Sequence, residues 1–339
     1  MNGFERINAA LNGQKPDKTP IMLHNFMMAA VEAGFTMHQF RESAQNMAET
    51  FIRSVEKYDL DGILVDLDTV TLAGSAGVPV DFPENEPARS GKGNLAELSD
   101  IRNLGKIRVE NYKYAGIWLE AVYRIKNHFK DEVYVRGNCD QAPFSLASMM
   151  RGSQEWMLDL MIGEAGLIDE LLSVATDISC QFIRLMAQTG CHMVSNGDSP
   201  AGPEMISPDM YRQFALPSEK ILVAEAHKVN LPYTLHICGN TDTILEDMLT
   251  TGSDAFELDY KTGAKKALEI FNGKACLIGN IDPSGVLALG TPQLVEKKTL
   301  ELLHTFEKNN RFILNAGCAI PSMTPEENIR MMIRTARSF

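Results

Sequence analysis

The chain has 339 residues, 45% hydrophobic and 22% charged with a formal net charge of −12, the balance of a folded enzyme with no stretch of disordered composition. That acidity argues against a nucleic-acid partner or an anionic membrane surface, because both need clustered Lys and Arg. The longest apolar runs, such as Gly62 to Leu67, fall far short of a bilayer span, and the N-terminal segment does not read as a signal peptide, so a cytoplasmic location is expected.

Short aliphatic or β-branched runs alternate along the chain with longer stretches of helical period. That alternation signals a parallel sheet covered by helices. In chain order the candidate strands are Pro20 to Leu23, Gly62 to Leu67, Glu132 to Arg136, His192 to Asn196, Pro232 to Ile237, Ala255 to Leu258, Ala275 to Ile278 and Arg311 to Leu314. Amphipathic stretches fall between them at Ser43 to Lys57, Gln154 to Thr189, Ser207 to His227 and Pro292 to Lys308. Ser207-Pro208 and Thr291-Pro292 each put a capping hydroxyl before a proline suited to the first helical turn. Gly74 to Asn103, rich in Pro, Gly and charge, reads as a long excursion after the second strand. Eight parallel strands close a barrel. The expected architecture is α/β, a (β/α)8 TIM barrel with an N-terminal helical extension, forming one domain over residues 1–339.

Barrel active sites form at the C-terminal ends of the strands. The residues at those ends here are unusually polar: His24, Asp66 and Asp68, Asn138 to Asp140, Asn196 and Asp198, His236 and Cys238, Glu257 and Asp259, Asn280 and Asp282, and Asn315 to Cys318. Any single Asp among them can simply cap the next helix. The sharpest group is His236-Ile237-Cys238 with Cys318. Alternate residues of a strand share a face, so His236 and Cys238 can offer an imidazole and a thiolate to one ion, with Cys318 as a third ligand from a distant strand end. One His with two Cys suits Zn²⁺ and leaves the open position of a catalytic site. Glu257 is a candidate fourth ligand and Asp259 its competitor. Asp198, Asn138 and Asp68 are expected to line the pocket near the metal as catalytic or orienting residues. The competing view is that buried cysteines are core residues, and Cys180, Cys191 and Cys276 read that way.

Three segments carry a family resemblance: Leu235 to Thr241, Ile278 to Asp282, and Asn315 to Pro321 followed by Met323 to Asn328. They resemble the uroporphyrinogen decarboxylase superfamily, especially its corrinoid methyltransferase branch. That branch includes methylcobamide:coenzyme M methyltransferases and the methyltransferase I components of O-demethylases. The resemblance implies that the H-x-C pair and remote Cys hold zinc. It also implies that methyl passes between a small methylated substrate and a corrinoid (cobalamin) brought by a carrier protein. No Asp-x-His-x-x-Gly cobalamin sequence occurs in this chain. The decarboxylases keep an arginine-rich segment after the first strand, whereas Met22 to Ala30 here contains no arginine. Porphyrinogen decarboxylation is therefore disfavoured, although Asp68 matches an essential aspartate of those enzymes. Removal of methyl from a methoxyaromatic is the preferred expectation, with Phe26, Met27, Met28, Phe144 and Met149 as candidates for a ring slot. The alternatives are methyl transfer to a thiol of the coenzyme M type, with Arg136 as the cation for its anionic end, and a non-catalytic barrel.

Overall fold

A computed structural model describes residues 1–339. Its strands are β1 (Met22–Leu23), β2 (Gly62–Val65), β3 (Val80–Asp81), β4 (Arg89–Ser90), β5 (Tyr134–Gln141), β6 (Met193–Gly197), β7 (Tyr233–Ile237), β8 (Ala255–Leu258), β9 (Cys276–Ile281) and β10 (Phe312–Ala316). Eight of these form one parallel sheet in the order β1-β2-β5-β6-β7-β8-β9-β10, and β3 with β4 makes a small antiparallel hairpin. Ile21 bridges to Leu314, which brings the first and last strands together and closes the (β/α)8 barrel. Every residue of β2, β7 and β10 is buried, as a sheet covered on one face by helices and on the other by the barrel interior requires.

One end of the barrel is plugged. The helix Gly3–Leu11 starts from an Asn2/Glu5 capping box and sends Ile7, Ala10 and Leu11 into a buried cluster with Met22, Tyr134, Met193 and Ile313. The fit is tight enough that a Cβ on Gly62 would lie 2.5 Å from Ile7 Cδ1. The opening is therefore at the C-terminal ends of the strands. There the excursion after β2 folds back over the mouth. Arg41, fully buried, donates to the carbonyls of Pro83 and Glu86, and Pro87 reaches the cavity wall. No helix is long and apolar enough to cross a membrane.

Three local expectations change. Gln154 to Thr189 is two helices, Ser153–Ile162 and Ala165–Ala187, because Gly163 turns to an extended conformation between them. The third barrel strand runs on to Gln141, since Gln141 still pairs with Gly197 after an irregularity at Asn138. Asn138, Cys139 and Asp140 thus lie within β5 rather than after it. The strand expected to end at Ile278 likewise continues through Asn280 to Ile281, paired with Asn315 and Ala316 of β10.

Candidate metal centre

His236 near the end of β7 and Cys238 just beyond it point the same way, and Gly317 lets Cys318 approach from the end of β10. A Cβ on Gly317 would lie 2.3 Å from the Tyr260 backbone nitrogen, so no larger residue permits this approach. The donor atoms of His236, Cys238 and Cys318 all lie within 4.8 Å of one another. His236 Nε2 is 3.1 Å from Cys238 Sγ, and the two sulfurs are 3.8 Å apart. A tetrahedral Zn²⁺ with Zn–S bonds of about 2.3 Å separates two sulfurs by about 3.8 Å. The donor set and its spacing fit the ion.

The imidazole is also prepared for it. His236 Nδ1 donates to the Glu257 carbonyl at 2.9 Å, which leaves Nε2 facing the sulfurs. Hydrogen bonding from the Cys318 thiol, and then the His236 imidazolium, draw Cys238 down to about 3 against the opposing effect of burial. Cys318 is held far above the ordinary thiol value by that same contact and by burial. Burial alone would lower His236, but the Cys238 thiolate beside it raises it to about 10. The arrangement is one thiolate, one thiol and one imidazolium, a set that would release two protons on taking up a divalent cation.

Beside these three residues is a cavity of about 250 Å³. Its polar wall carries two ion pairs. His24 Nε2 lies 2.7 Å from Asp66, whose other oxygen accepts from Asn138 at 2.7 Å. Arg136 Nη1 lies 2.5 Å from Glu257 Oε2, and both side chains are only 1% exposed. Glu257 Oε1 is 3.4 Å from His24 Nδ1, which links the pairs. Burial pushes against ionisation of Glu257, but Arg136 and His24 hold it well below the usual carboxylate range. Burial likewise opposes a charge on His24, yet Asp66 and Glu257 raise it to about 9.

The expected site residues divide accordingly. Glu257 stands in the cavity wall but outside the three-donor group, its carboxylate committed to Arg136. Asp259 caps its own turn by accepting from Lys261 N. Asn138 and Asp68 line the cavity. Asp68 Oδ1 accepts from Val70 N, Thr71 N and Thr71 Oγ, and burial raises the carboxyl to about 6 despite those donors. Asp198 is not in the wall. It is fully buried behind it, accepting from Ser145 N and Oγ and facing the carboxyl of Glu219. A strand-end acid can turn outward to the helices as readily as inward, and sequence does not say which. Of the five ring-slot candidates only Phe26 and Met27 line the cavity; Phe144 is buried against Trp156 instead. His24, expected at a strand end but given no role there, is a cavity residue, and so is Gln141, which sequence reading passed over because it lies within β5.

Comparison with known proteins agrees with this construction. Residues 2–339 match the family model described as uroporphyrinogen decarboxylase (URO-D). Methylcobamide:CoM methyltransferase MtbA of Methanosarcina acetivorans is 30% identical over 341 residues, 99% of this chain and 97% of the relative. The MtbA of Methanosarcina mazei is 28% identical over 347 residues, again 99% and 97% of the two chains. A uroporphyrinogen decarboxylase of Trichodesmium erythraeum is 25% identical over 347 residues, 97% of this chain and 94% of the relative. A solved methyltransferase structure from Methanosarcina mazei superposes with a TM-score of 0.86 over 100% of this chain and 99% of that one, at 23% identity. The chain belongs to the uroporphyrinogen decarboxylase family, as an enzyme of its methyltransferase branch.

Proposed function

We propose that the chain is a zinc-dependent methyltransferase that moves methyl from a methyl-Co(III) corrinoid, presented by a carrier protein, to a small thiol. The observation that carries this is the three-donor group of His236, Cys238 and Cys318 opening onto a cavity at the barrel mouth. When bound, zinc supplies the Lewis acidity that keeps an incoming thiol ionised at neutral pH. The new bond joins thiol sulfur to the methyl carbon, the carbon–cobalt bond breaks with its electron pair left on Co(I), and the thiol proton goes to solvent. The chain's own residues set up this displacement. His236 is oriented by the Glu257 carbonyl, and the ion pairs of Arg136 and His24 hold the wall in one geometry. Phe26, Met27 and Ala319 contribute apolar surface that keeps water from the nucleophile.

The thiol acceptor displaces O-demethylation as the preferred reading for two reasons. The similar methyltransferases are named for coenzyme M, a thiol, and the aromatic slot keeps only two of its five expected members. The absence of arginine from Met22 to Ala30, and the pairing of Arg136, likewise speak against a porphyrinogen with its many carboxylates. The test is single-turnover transfer with zinc-loaded protein and methylcobalamin, read from the absorbance of the corrinoid. Thiol-dependent demethylation supports the proposal. Demethylation of methoxyaromatics by Co(I), with none by thiols, would reverse it.

A further inference from the structure

A loaded site holds more than one nucleophile. With a divalent cation bound, Cys238 and Cys318 are both thiolates, and an incoming thiol adds a third. Three sulfurs then face one methyl carbon, and two of them belong to the protein. Transfer to Cys238 would need no further reagent. Its sulfur would bond to the methyl carbon, the carbon–cobalt bond would break with its electron pair left on Co(I), and Cys238 would become a thioether. A thioether is no longer the thiolate that holds the metal, so the enzyme would disable itself.

A hydroxyl stands beside one of these two sulfurs. β6 and β7 pair in parallel with Gly197 opposite His236, and the Asp198 N–H donates to the His236 carbonyl at 2.8 Å. Two residues further along each chain the inward-facing residues are Ser199 and Cys238, and both line the cavity. The turn after β6 packs directly on this pair, since a Cβ on Gly202 would lie 3.0 Å from the Cys238 carbonyl oxygen and 3.2 Å from that of Ser199. In the metal-free site the Cys238 thiolate is stabilised chiefly by the Cys318 thiol, then by His236, and also by the Ser199 hydroxyl. Metal loading removes the first two, because the Cys318 proton leaves and His236 Nε2 offers the ion its lone pair. Ser199 is the donor that remains. At Cys318 the backbone N–H of Ala319 has the same place, although Cys238 and burial dominate there.

Building on the thiol reading, we propose that Ser199 determines which sulfur is methylated: its hydroxyl donates to the Cys238 sulfur, damps its nucleophilicity and leaves the methyl group to the incoming thiol. A hydrogen bond draws electron density from a thiolate, and the nucleophilicity of sulfur falls with its basicity. Ser199 is thus a positioning residue that acts through Cys238.

The experiment exposes the zinc-loaded unaltered protein, Ser199→Ala and Ser199→Thr to methyl iodide, and in parallel to methylcobalamin with 2-mercaptoethanol or 2-mercaptoethanesulfonate. Mass spectrometry of the peptide carrying Cys238 follows the gain of a methyl group, and elemental analysis follows zinc. Ser199→Ala is expected to methylate Cys238 about 10-fold faster than the unaltered chain, the rate equivalent of one hydrogen bond to a charged group. Ser199→Thr, which keeps the hydroxyl, should stay close to the unaltered rate. Equal methylation of Cys238 in Ser199→Ala and the unaltered chain overturns the proposal and leaves the thiol reading standing. Fast methylation in Ser199→Thr as well also overturns it, because packing rather than the hydroxyl then guards the sulfur. Loss of zinc from Ser199→Ala before any reagent is added counts against it in the same way, since the hydroxyl would then hold the site together rather than direct methyl. If the unaltered chain methylates neither thiol, the thiol reading fails and this proposal with it.

Discussion

At His236 the orientation of the ligand nitrogen is set by the nitrogen that faces away from the sulfurs, through its bond to the Glu257 carbonyl. Cys318 depends on no such bond, only on the space that Gly317 leaves. Removing either thiol should therefore empty the site. Cys318→Ala is expected to lose more than half of its zinc by elemental analysis, whereas Cys276→Ala, inside β9 and fully buried, should keep it. Glu257→Gln tests a different property. It leaves the Arg136 guanidinium buried without its carboxylate and should cost about 3–5 kcal/mol of stability, measured by chemical denaturation, while zinc remains bound. If Glu257→Gln instead loses zinc without loss of stability, the carboxylate is a ligand after all. His24 gives a pH signature. Its folded value, about 9, lies above the ordinary histidine value, so its contribution is complete below about pH 6.5 and is lost as pH rises through 9. Zinc-loaded protein should fall in melting temperature between pH 7 and 9, and His24→Asn should flatten that slope. The H-x-C spacing was legible in sequence because two residues is the strand period. The Arg136–Glu257 pair was not, because its members sit on β5 and β8, which no local pattern connects.

At the scale of elements, the eight barrel runs were legible because buried parallel strands are nearly continuous hydrophobic segments. Their ends were not. Polar residues inside β5 and β9 resemble loop, and β5 passes through an irregularity at Cys139 and Asp140, where Asp140 takes a left-handed φ of 60°, before Gln141 pairs again with Gly197. The turn after β6 shows what such uncertainty hides. Asp198 faces outward, toward Ser145 and toward Glu219 of the helix Leu216–Lys228, and it carries a backbone bond from its N–H to the His236 carbonyl at 2.8 Å. Burial raises Asp198 to about 6 and Glu219 well above the usual carboxylate range, so one proton is retained between them at neutral pH. Because these values lie above the unfolded ones, ionisation of Asp198 destabilises the fold as pH rises from about 4 to 6. Asp198→Asn should reduce that loss, visible as a shallower decline in melting temperature over this interval, with Asp68, also raised to about 6, supplying the remainder. A decline of wild-type size in the variant would mean that another group is responsible.

For the whole molecule, the plugged end and the open end give the barrel a direction. The helix Gly3–Leu11 closes one side, and the opposite mouth presents the three-donor group beneath the segment that Arg41 holds in place. A net charge of −12 and a cavity of about 250 Å³ are suited to a small ligand, with the corrinoid approaching from outside on its carrier. Sequence carried the barrel through strand count and the His236–Cys238 pair through strand period, whereas the part of Cys318 came from the family resemblance. The ion pairs of the cavity wall were hidden because their members come from separate strands. The central claim is that zinc at His236, Cys238 and Cys318 binds the thiol acceptor directly, and zinc K-edge X-ray absorption measures this. The resting protein should show two sulfurs at about 2.3 Å with one imidazole nitrogen at about 2.0 Å, and addition of an accepted thiol should raise the sulfur count to three. A count that stays at two when a turned-over thiol is present would contradict the account.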